Sequence, residues 1–510
     1  MKDNSYIMLS KSDLLILVID VRNVTNPVIL FHKTLPNTEM KDIEVCGDFV
    51  ILARIDDLRT EHGIVEIYGK YDNRTKDLPF KRVIQVGKNP DTLCPTSDCQ
   101  TILVTIEANA YPNIDATKMI DPPGGVGIIK FPTADLSQEP SFQFADFGDF
   151  NNRWQEFVAK GVRYIYRENG NSFANDLEPE GITLNADETI AYVALQTNNA
   201  IAELNVNSGT ITNIYPLGYK DWRKYGLDAS DKDNNSVACR IGSLTRNNFN
   251  EKETNIRPWP VYGMYQPDAI KYFVFGGQGY ILSANEGATK NYADEVTNGF
   301  NEVVRVKDLD FAENSTMLRW AAKNNFTNTS IKQDENIEIM ALVLFHHVGR
   351  LKVTNTEGKI NGTNSTKYQA LYSFGARSFS IWRIDASGVV NVYDSGSDIE
   401  NMMQQLRPEL FNSDSSNLDS RLNDSKGLYS SKMGPSPEMV TTGQYKGKTL
   451  LFCSCEEPGM VFLYSLDADV TKPKFESMWT GIPKSNTIIY NTWRDLYNQR
   501  QISEIDPEDM

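Results

Sequence analysis

A four-residue motif recurs along the chain: proline, an acidic residue, any residue, and an aliphatic residue or methionine. Its copies begin at Pro90, Pro179, Pro267, Pro437 and Pro507. The acids of the first three copies are 89 and 88 residues apart. Self-similarity at a regular spacing is typical of repeat architectures, so this motif constrains the fold more than any single predicted element does.

Each motif with enough chain after it is followed by a second strand-like run that ends in polar residues. These runs cover residues 102–109, 191–199, 279–287 and 450–459. Third and fourth runs follow, for instance at 200–206 and 210–217, where Asn207-Ser208-Gly209 is typical of a tight turn. Four short strands in a repeated meander are typical of a propeller blade, so the sequence predicts an all-β fold, a β-propeller.

The predicted propeller is a single domain over residues 1–510, with seven blades of which about six lie in this chain. Residues 5–36 supply the outer strands of the first blade, and residues 40–88 supply the second, with Met40-Lys41-Asp42-Ile43 at the motif position. Later blades begin at Pro90, Pro179, Pro267 and Pro437, and the one from Pro267 is interrupted after Gly287 and resumes at 378–385. Because an open propeller leaves unpaired strand edges, we expect a further segment upstream that carries a signal peptide. Six blades with an irregular closure are the alternative.

Insertions between the predicted strands cover about 132–175, 220–262, 288–370 and 398–433. Helical propensity and capping residues predict helices at 151–160, 313–324 and 398–407. The stretch from Asn412 to Lys432 is rich in Ser, Asp and Asn and predicts a solvated loop.

Acidic and amide side chains recur at two positions of the repeat, the motif itself and the end of the second strand. In a propeller, both positions meet at one end of the central channel, the channel mouth. Clustered carboxylates repel one another, and a Ca²⁺ ion with six to eight oxygen ligands relieves that repulsion. The predicted calcium ligands are Asp91, Glu107, Glu178, Glu180, Asp268, Asn285, Glu286, Glu438 and Glu508, with Gln196, Glu456 and Glu457 at further second-strand ends. The alternative is that these acids cap turns.

A second acidic cluster, Asp228, Asp231 and Asp233, spaces oxygen ligands along one short segment. It lacks the glycine and the distal glutamate of an EF-hand loop, so a solvated turn is the alternative to calcium there.

Composition excludes several function classes. The 67 acidic and 51 basic residues leave a net charge of -16, which disfavours nucleic acid as a partner. The longest aliphatic run, Leu14 to Ile19, is far shorter than the roughly 20 apolar residues of a membrane span. No nucleophile elbow, Walker loop or zinc-protease motif is present, and the four histidines offer few candidate bases.

Glycosylation sequons and cysteines indicate an extracellular protein. Asn-X-Ser/Thr sequons stand at Asn23, Asn73, Asn234, Asn314, Asn325, Asn328, Asn361, Asn364 and Asn423. The six cysteines suit an oxidising compartment, and Cys94 and Cys99 enclose only four residues. A disulfide between these two is one reading and a pair of free thiols is the other, while the partners of Cys46, Cys239, Cys453 and Cys455 stay open.

Long strings of the chain resemble a known family. They lie at 176–182, 195–206, 216–222, 226–231, 264–270, 283–287, 302–309 and 371–382, for example DLEPEGI and LYSFGARSFSIW. The chain is similar to the bacterial choice-of-anchor I surface proteins and their animal relatives, the mesenchyme-specific cell-surface glycoproteins of biomineralising cells. The resemblance implies an anchored or secreted propeller glycoprotein with a tie to calcium mineral. Some bacterial relatives carry alkaline-phosphatase-like labels.

Two functions follow as hypotheses. The first is an extracellular calcium-binding protein whose partner is matrix, mineral or another cell surface. The second is a calcium-dependent phosphomonoesterase in which clustered cations hold a phosphate. Cationic side chains near the acids would favour the enzyme, and only Lys41, Arg54 and Arg377 occupy suitable positions. The sequence therefore favours the binding protein.

Overall fold

A computed structural model describes residues 5–10, 15–35, 38–57, 62–113, 115–167, 170–232, 254–297, 299–323, 347–360, 365–386, 388–482, 484 and 491–498. Within these residues, six antiparallel meander sheets follow one another along the chain, and we number them 1 to 6. Sheet 1 has three strands and the others have four. Their bounds are Ser5–Ser10, Leu15–Asp20 and Val28–Thr34; Glu39–Cys46, Phe49–Asp57, His62–Gly69 and Phe80–Lys88; Pro90–Pro95, Thr101–Ile106, Gly125–Lys130 and Ser141–Asp146; Pro179–Leu184, Ile190–Leu195, Ala200–Asn205 and Thr210–Pro216; Ile270–Phe275, Gln278–Asn285, Ser378–Asp385 and Gly388–Asp394; Pro437–Tyr445, Lys448–Cys455, Met460–Leu466 and Lys474–Thr480.

The first strands of sheets 2 to 6 pack against one another in order, which makes them the innermost strands of the molecule. The second strands are buried on both faces, as in Thr101–Ile106 and Ile190–Leu195, because each sheet is sandwiched between two others. Apolar side chains fill the space between neighbouring sheets, for example Ile51 of sheet 2 against Val104 of sheet 3. The prediction of an all-β propeller is confirmed, while the total of seven blades stays a prediction.

The interruption of sheet 5 also agrees with the sequence. Gln278–Asn285 pairs with Ser378–Asp385, although almost a hundred residues separate them. The intervening chain and the segment after sheet 4 build a separate five-stranded sheet around a core that contains Trp222, Trp259 and Leu351. Its strands are Tyr219–Asp221, Tyr262–Met264, Tyr372–Ser373, Lys352–Thr354 and Val303–Arg305. Two-stranded pairs are Tyr111–Pro112 with Met119–Ile120, Leu227–Asp228 with Ile256–Arg257, and Asp310–Phe311 with Lys367–Tyr368.

Helices lie outside the six sheets, and the three predicted helices are present. The α-helices are Trp154–Lys160, Phe173–Asp176, Thr316–Lys323, Asp398–Leu406, Leu422–Ser425 and Trp493–Asn498, and the 3-10 helices are Gly148–Arg153, Val306–Asp308, Val348–Arg350 and Pro408–Leu410. Within the described ranges, no helix has the length and apolarity needed to cross a bilayer. The range 132–175 is only partly an insertion, because Ser141–Asp146 forms the outermost strand of sheet 3.

Three of the four described copies of the recurring motif, those at Pro90, Pro179 and Pro437, coincide with a β-bulge in the innermost strand. The pairing register shifts between Pro90 and Leu93, between Pro179 and Ile182, and between Pro437 and Val440. A register shift also follows Met40, where the motif lacks its proline. A bulge disrupts the ladder locally and re-aims a side chain, and proline suits a position that does not donate to the ladder. At these positions the bulge therefore influences the direction of the acid that follows the proline.

The stretch from Asn412 to Lys432 is not a solvated loop, contrary to the prediction. Asn412, Ser413, Ser425 and Ser430 are fully buried. The Asn412 amide donates to Glu400 Oε1 at 2.8 Å and to Ser430 Oγ at 3.0 Å. The buried amide nitrogen of Asn412 and the buried hydroxyl of Ser430 are thus hydrogen-bonded, as buried polar groups generally are.

The predicted disulfide between Cys94 and Cys99 is wrong. Cys99 bonds Cys46, and Cys94 is a free thiol. Cys46 and Cys99 both lie in the core between sheets 2 and 3, whereas Cys94 packs against the core between sheets 3 and 4. Cys94 and Cys99 are close in sequence, but the innermost strand of sheet 3 turns Cys94 toward sheet 4, whereas Cys99 lies on the side of sheet 2. The disulfide links the end of one innermost strand to the first turn of the next sheet.

Candidate metal site

The two acidic positions of the repeat meet because the motif proline pairs with the last residue of the second strand. Pro90 is opposite Ile106, Pro179 is opposite Leu195, and Pro437 is opposite Cys455. The residue before the proline is therefore opposite the first residue after the second strand: the backbone N–H of Glu107 donates to the Asn89 carbonyl, and that of Glu456 donates to the Ser436 carbonyl. The motif acid follows the proline, so both acidic positions lie at the same end of each sheet.

Three glutamates from sheets 5 and 6 form the tightest group, which we call the glutamate trio: Glu286, Glu438 and Glu456. One carboxylate oxygen from each lies within 4.8 Å of the others. Burial raises the pKa of Glu286 well above its ordinary value, and the negative charges of Asp268 and Glu456 raise it further. The trio thus concentrates negative charge where solvent screens it poorly.

An amide connects the trio to the neighbouring blade. Gln196 Nε2 donates to Glu286 Oε2 at 2.8 Å and to Asp268 Oδ1 at 3.3 Å. Gln196 occupies the second-strand end of sheet 4, where sheets 3, 5 and 6 have glutamates. This side of the channel mouth therefore carries four carboxylates, two of which accept hydrogen bonds from one amide.

On the other side of the channel mouth, Lys41 lies close to the acids Glu107 and Asp91. Lys41 occupies the position of the motif acid in sheet 2, and Glu107 and Asp91 raise its pKa against the lowering effect of burial. Burial raises the pKa of Glu107 to about 7, although Lys41 opposes the shift. Burial and the neighbouring Glu107 also raise the pKa of Glu180, and the two carboxyl groups share a hydrogen bond. The positive charge of Lys41 and the hydrogen bond between Glu107 and Glu180 reduce the repulsion among the carboxyl groups on this side of the channel mouth.

Glu178 and Asn285 are engaged in other contacts. Glu178 Oε1 lies 2.9 Å from Nζ of the buried Lys290, which is also 3.3 Å from Asp176 Oδ1. The Asn285 amide donates to Ser378 and Ser380 inside sheet 5, at 3.1 and 2.8 Å. Sequence reasoning missed Lys290, because it lies in an insertion outside the repeat and no spacing marks it. Glu508 lies outside the described residues.

Two members of the second acidic cluster have partners within the protein. Asp231 forms a bidentate ion pair with Arg350, at 2.7 and 2.8 Å. Asp228 is buried and accepts a hydrogen bond from Ser430 at 3.0 Å. Asp233 lies outside the described residues. Arg350 therefore supplies the positive charge beside Asp231 that a calcium ion was expected to supply.

The cations that the phosphomonoesterase hypothesis needs are all in ion pairs. Lys41 lies 2.8 Å from Glu39, and Arg54 lies 2.9 Å from Glu66. Arg377 is buried and lies 2.9 Å from Glu400. Each of the three positive charges is therefore already paired with an acidic side chain of the protein.

Four of the nine sequon asparagines are described, and all four are exposed: Asn23, Asn73, Asn314 and Asn423. The other five, Asn234, Asn325, Asn328, Asn361 and Asn364, lie outside the described residues. An exposed asparagine is a precondition of N-glycosylation. The described part of the chain therefore meets that condition at each sequon.

Two known proteins are similar to this chain in sequence. Gigasin-3a of Magallana gigas is 29% identical over 193 residues, which cover 38% of this chain and 60% of that protein. A mesenchyme-specific cell surface glycoprotein of Strongylocentrotus purpuratus is 26% identical over 321 residues, 60% of this chain and 37% of that protein. The chain thus spans less than two thirds of the length of either relative.

Solved structures with a similar fold are remote in sequence. The β-propeller domain of Cps50 (Swd1) from Myceliophteria thermophila is 12% identical with a TM-score of 0.28, over 43% of this chain and 58% of that one. Regucalcin from Agrobacterium tumefaciens, a calcium-binding protein, is 9% identical with a TM-score of 0.30, over 57% and 67%. The choice-of-anchor I domain matches residues 2–469, which is most of the chain. This protein therefore belongs to the choice-of-anchor I family.

Proposed function

We propose that this protein is an extracellular calcium-binding glycoprotein that acts at a cell surface or in a matrix. The observation that carries the proposal is the glutamate trio, whose oxygens come from two neighbouring sheets and lie within 4.8 Å of one another. Calcium–oxygen distances are about 2.3 to 2.6 Å, so two ligands on opposite sides of one ion are about 5 Å apart at most. The spacing of the trio fits a single ion.

The chemistry of the donors also favours calcium. Glu286, Glu438 and Glu456 offer carboxylate oxygens, and Asp268 and Gln196 lie beside them. Hard cations such as Ca²⁺ prefer oxygen ligands, whereas zinc and copper sites use His and Cys. A bound ion would stabilise the charged form of all three glutamates and hold sheets 5 and 6 together at the channel mouth.

An extracellular location is supported by independent features. One relative is a cell surface glycoprotein of Strongylocentrotus purpuratus, the described sequons are exposed, and Cys46 and Cys99 form a disulfide. Disulfides persist mainly in oxidising compartments. Peptide mapping of native material should find glycans on Asn23, Asn73, Asn314 or Asn423. Four unmodified asparagines together with reduced Cys46 and Cys99 would contradict this location.

A binding role accounts for the site better than hydrolysis. Lys41, Arg54 and Arg377 are engaged in ion pairs with Glu39, Glu66 and Glu400. We therefore propose that calcium is structural or is presented to a partner, which is matrix, mineral or another cell surface.

Calcium titration by isothermal calorimetry tests the site. We expect the wild-type chain to bind Ca²⁺ and Glu438→Gln to bind it at least about tenfold more weakly, because ligand charge sets calcium affinity. Glu178→Gln is the matched control in the same channel mouth, since Lys290 already compensates Glu178. Equal calcium affinity of the wild type and Glu438→Gln would reject the trio as the site.

A further inference from the structure

A cavity of about 570 Å³ lies between the five-stranded sheet and the segment that precedes sheet 6. Its lining includes three cationic side chains from three separate parts of the chain, Arg305, Lys352 and Lys432. We call it the basic pocket. The protein as a whole has a net charge of -16, so this concentration of positive charge runs against its overall composition.

Two of these cations face each other across a strand pair. Arg305 ends the strand Val303–Arg305, Lys352 begins the strand Lys352–Thr354, and the two residues are directly opposite in the antiparallel register. Like charges in that position destabilise a sheet. The Arg305 guanidinium donates a hydrogen bond to the backbone carbonyl of Arg350, which gives Arg305 a partner that the Lys352 ammonium opposite it does not have within the described residues.

The carboxylates at or near the basic pocket are themselves close to cations. Asp308 lines the pocket and lies 2.7 Å from Lys307. Asp231 is held in a bidentate ion pair by Arg350, and its nearest oxygen is 3.9 Å from Arg305. Asp414 lies 2.9 Å from Lys432. Within the described residues, the Lys352 ammonium has neither an ion pair nor a hydrogen bond. Burial lowers the pKa of Lys352, and the charges of Lys432 and Arg305 lower it further.

The remaining walls indicate the size and polarity of an occupant. Phe374, Tyr429 and Met433 supply apolar surface, and Asn291 and Asn301 supply amide groups. The volume is much larger than a bare inorganic anion needs and is of the size of small-molecule sites. Amides beside an aromatic wall suit the hydroxyl groups and carbon faces of a sugar.

We propose that the basic pocket binds a sugar that carries a phosphate or sulfate ester. The guanidinium of Arg305 and the ammonium groups of Lys352 and Lys432 line one pocket and suit the three terminal oxygens of such an ester. A bound anion would reduce the repulsion between the positive charges of Arg305 and Lys352, and it would pair with the Lys352 ammonium. The described lining of this pocket contains no member of the glutamate trio.

The test is isothermal calorimetry on the intact chain with three probes: N-acetylglucosamine 6-phosphate, N-acetylglucosamine 6-sulfate and unmodified N-acetylglucosamine. All titrations contain EGTA, so the result is independent of the proposed calcium site. We expect at least one ester to bind and the neutral sugar not to bind. The phosphate and sulfate arms tell the two esters apart.

Variants connect the binding to the pocket. Lys352→Met should weaken binding of the ester about 10- to 100-fold, the loss of a hydrogen bond to a charged group. Lys130→Met is the matched control, because Lys130 is a similarly half-buried lysine on sheet 3. If Lys352→Met fails to fold, Lys432→Met replaces it. No binding of either ester, equal binding of the neutral sugar, or unchanged affinity of the folded lysine variants would overturn the proposal.

Discussion

Lys290 Nζ lies 2.9 Å from Glu178 Oε1, and both side chains are buried. This contact divides the acids of the channel mouth into two classes. Glu178 and Asp176 are compensated by a lysine of the chain, and Glu107 and Asp91 lie close to Lys41. On the side of the glutamate trio, the neutral Gln196 donates hydrogen bonds to Glu286 and to Asp268. The proposed calcium site lies beside this amide.

Replacing Lys290 by Met should destabilise the protein strongly. The change leaves Asp176 and Glu178 buried beside each other without their cation, and breaking a buried pair in this way costs about 3 to 5 kcal/mol. Urea denaturation measures the change in the free energy of unfolding. Lys70→Met is the control, because Lys70 and Asp48 form an exposed pair at 3.1 Å, and such pairs contribute about 1 kcal/mol or less. Similar losses in both variants would show that the buried pair has no special role.

The disulfide between Cys46 and Cys99 should stabilise the contact between sheets 2 and 3. It joins residues 53 positions apart, and a cross-link of this kind typically contributes about 2 to 4 kcal/mol. The double variant Cys46→Ala, Cys99→Ala should therefore unfold at a clearly lower urea concentration, whereas Cys94→Ser should show a smaller loss. A non-reducing peptide map that joins Cys94 to Cys99 would contradict this pairing.

Asp42 should make stability fall as the pH rises. Burial, and then the charge of Glu44, raise its pKa from 3.8 to about 7 in the folded chain. The folded state therefore keeps a proton that the unfolded state has lost, so this contribution is complete below about pH 4 and is lost as the pH rises through about 7. Asp42→Asn removes the titration. Relative to wild type, the variant should gain at most about 1.4 kcal/mol per pH unit between these limits.

Urea denaturation of both proteins at a series of pH values measures this difference. All other titrating groups are common to both proteins. The test is therefore whether the difference between their free energies of unfolding changes with pH. A difference that stays constant between pH 4 and pH 7 would show that Asp42 is ionised in the folded protein throughout.

The repeat made the fold predictable from the sequence. The prolines mark the bulges in the innermost strands, and the apolar run at 378–385 identifies the third strand of sheet 5 after its long interruption. The same repeat places Glu286, Glu438 and Glu456 at one end of the channel, because its two positions lie at the adjoining ends of the first two strands of each sheet. The spacing of the repeat was therefore sufficient to predict those parts of the structure that recur from sheet to sheet.

Features outside the repeat could not be predicted in this way. Arg350 and Asp231 are 119 positions apart, and no pattern in the sequence connects them. Lys290 lies in an insertion and reaches Glu178 of a different sheet. Ion pairs of this kind depend on how insertions fold back over the propeller, which the local sequence does not encode. The same is true of the Cys46–Cys99 disulfide and the polar stretch around Asn412.

Differential scanning calorimetry with calcium or EGTA tests the central proposal most directly, using wild type, Glu438→Gln and Glu178→Gln. An ion that binds only the folded chain stabilises it by about 2.7 kcal/mol at a hundredfold excess over Kd. We predict that calcium raises the Tm of wild type and of Glu178→Gln, and that Glu438→Gln loses most of this increase. A wild-type Tm that is the same in calcium and in EGTA would contradict a calcium site at the glutamate trio.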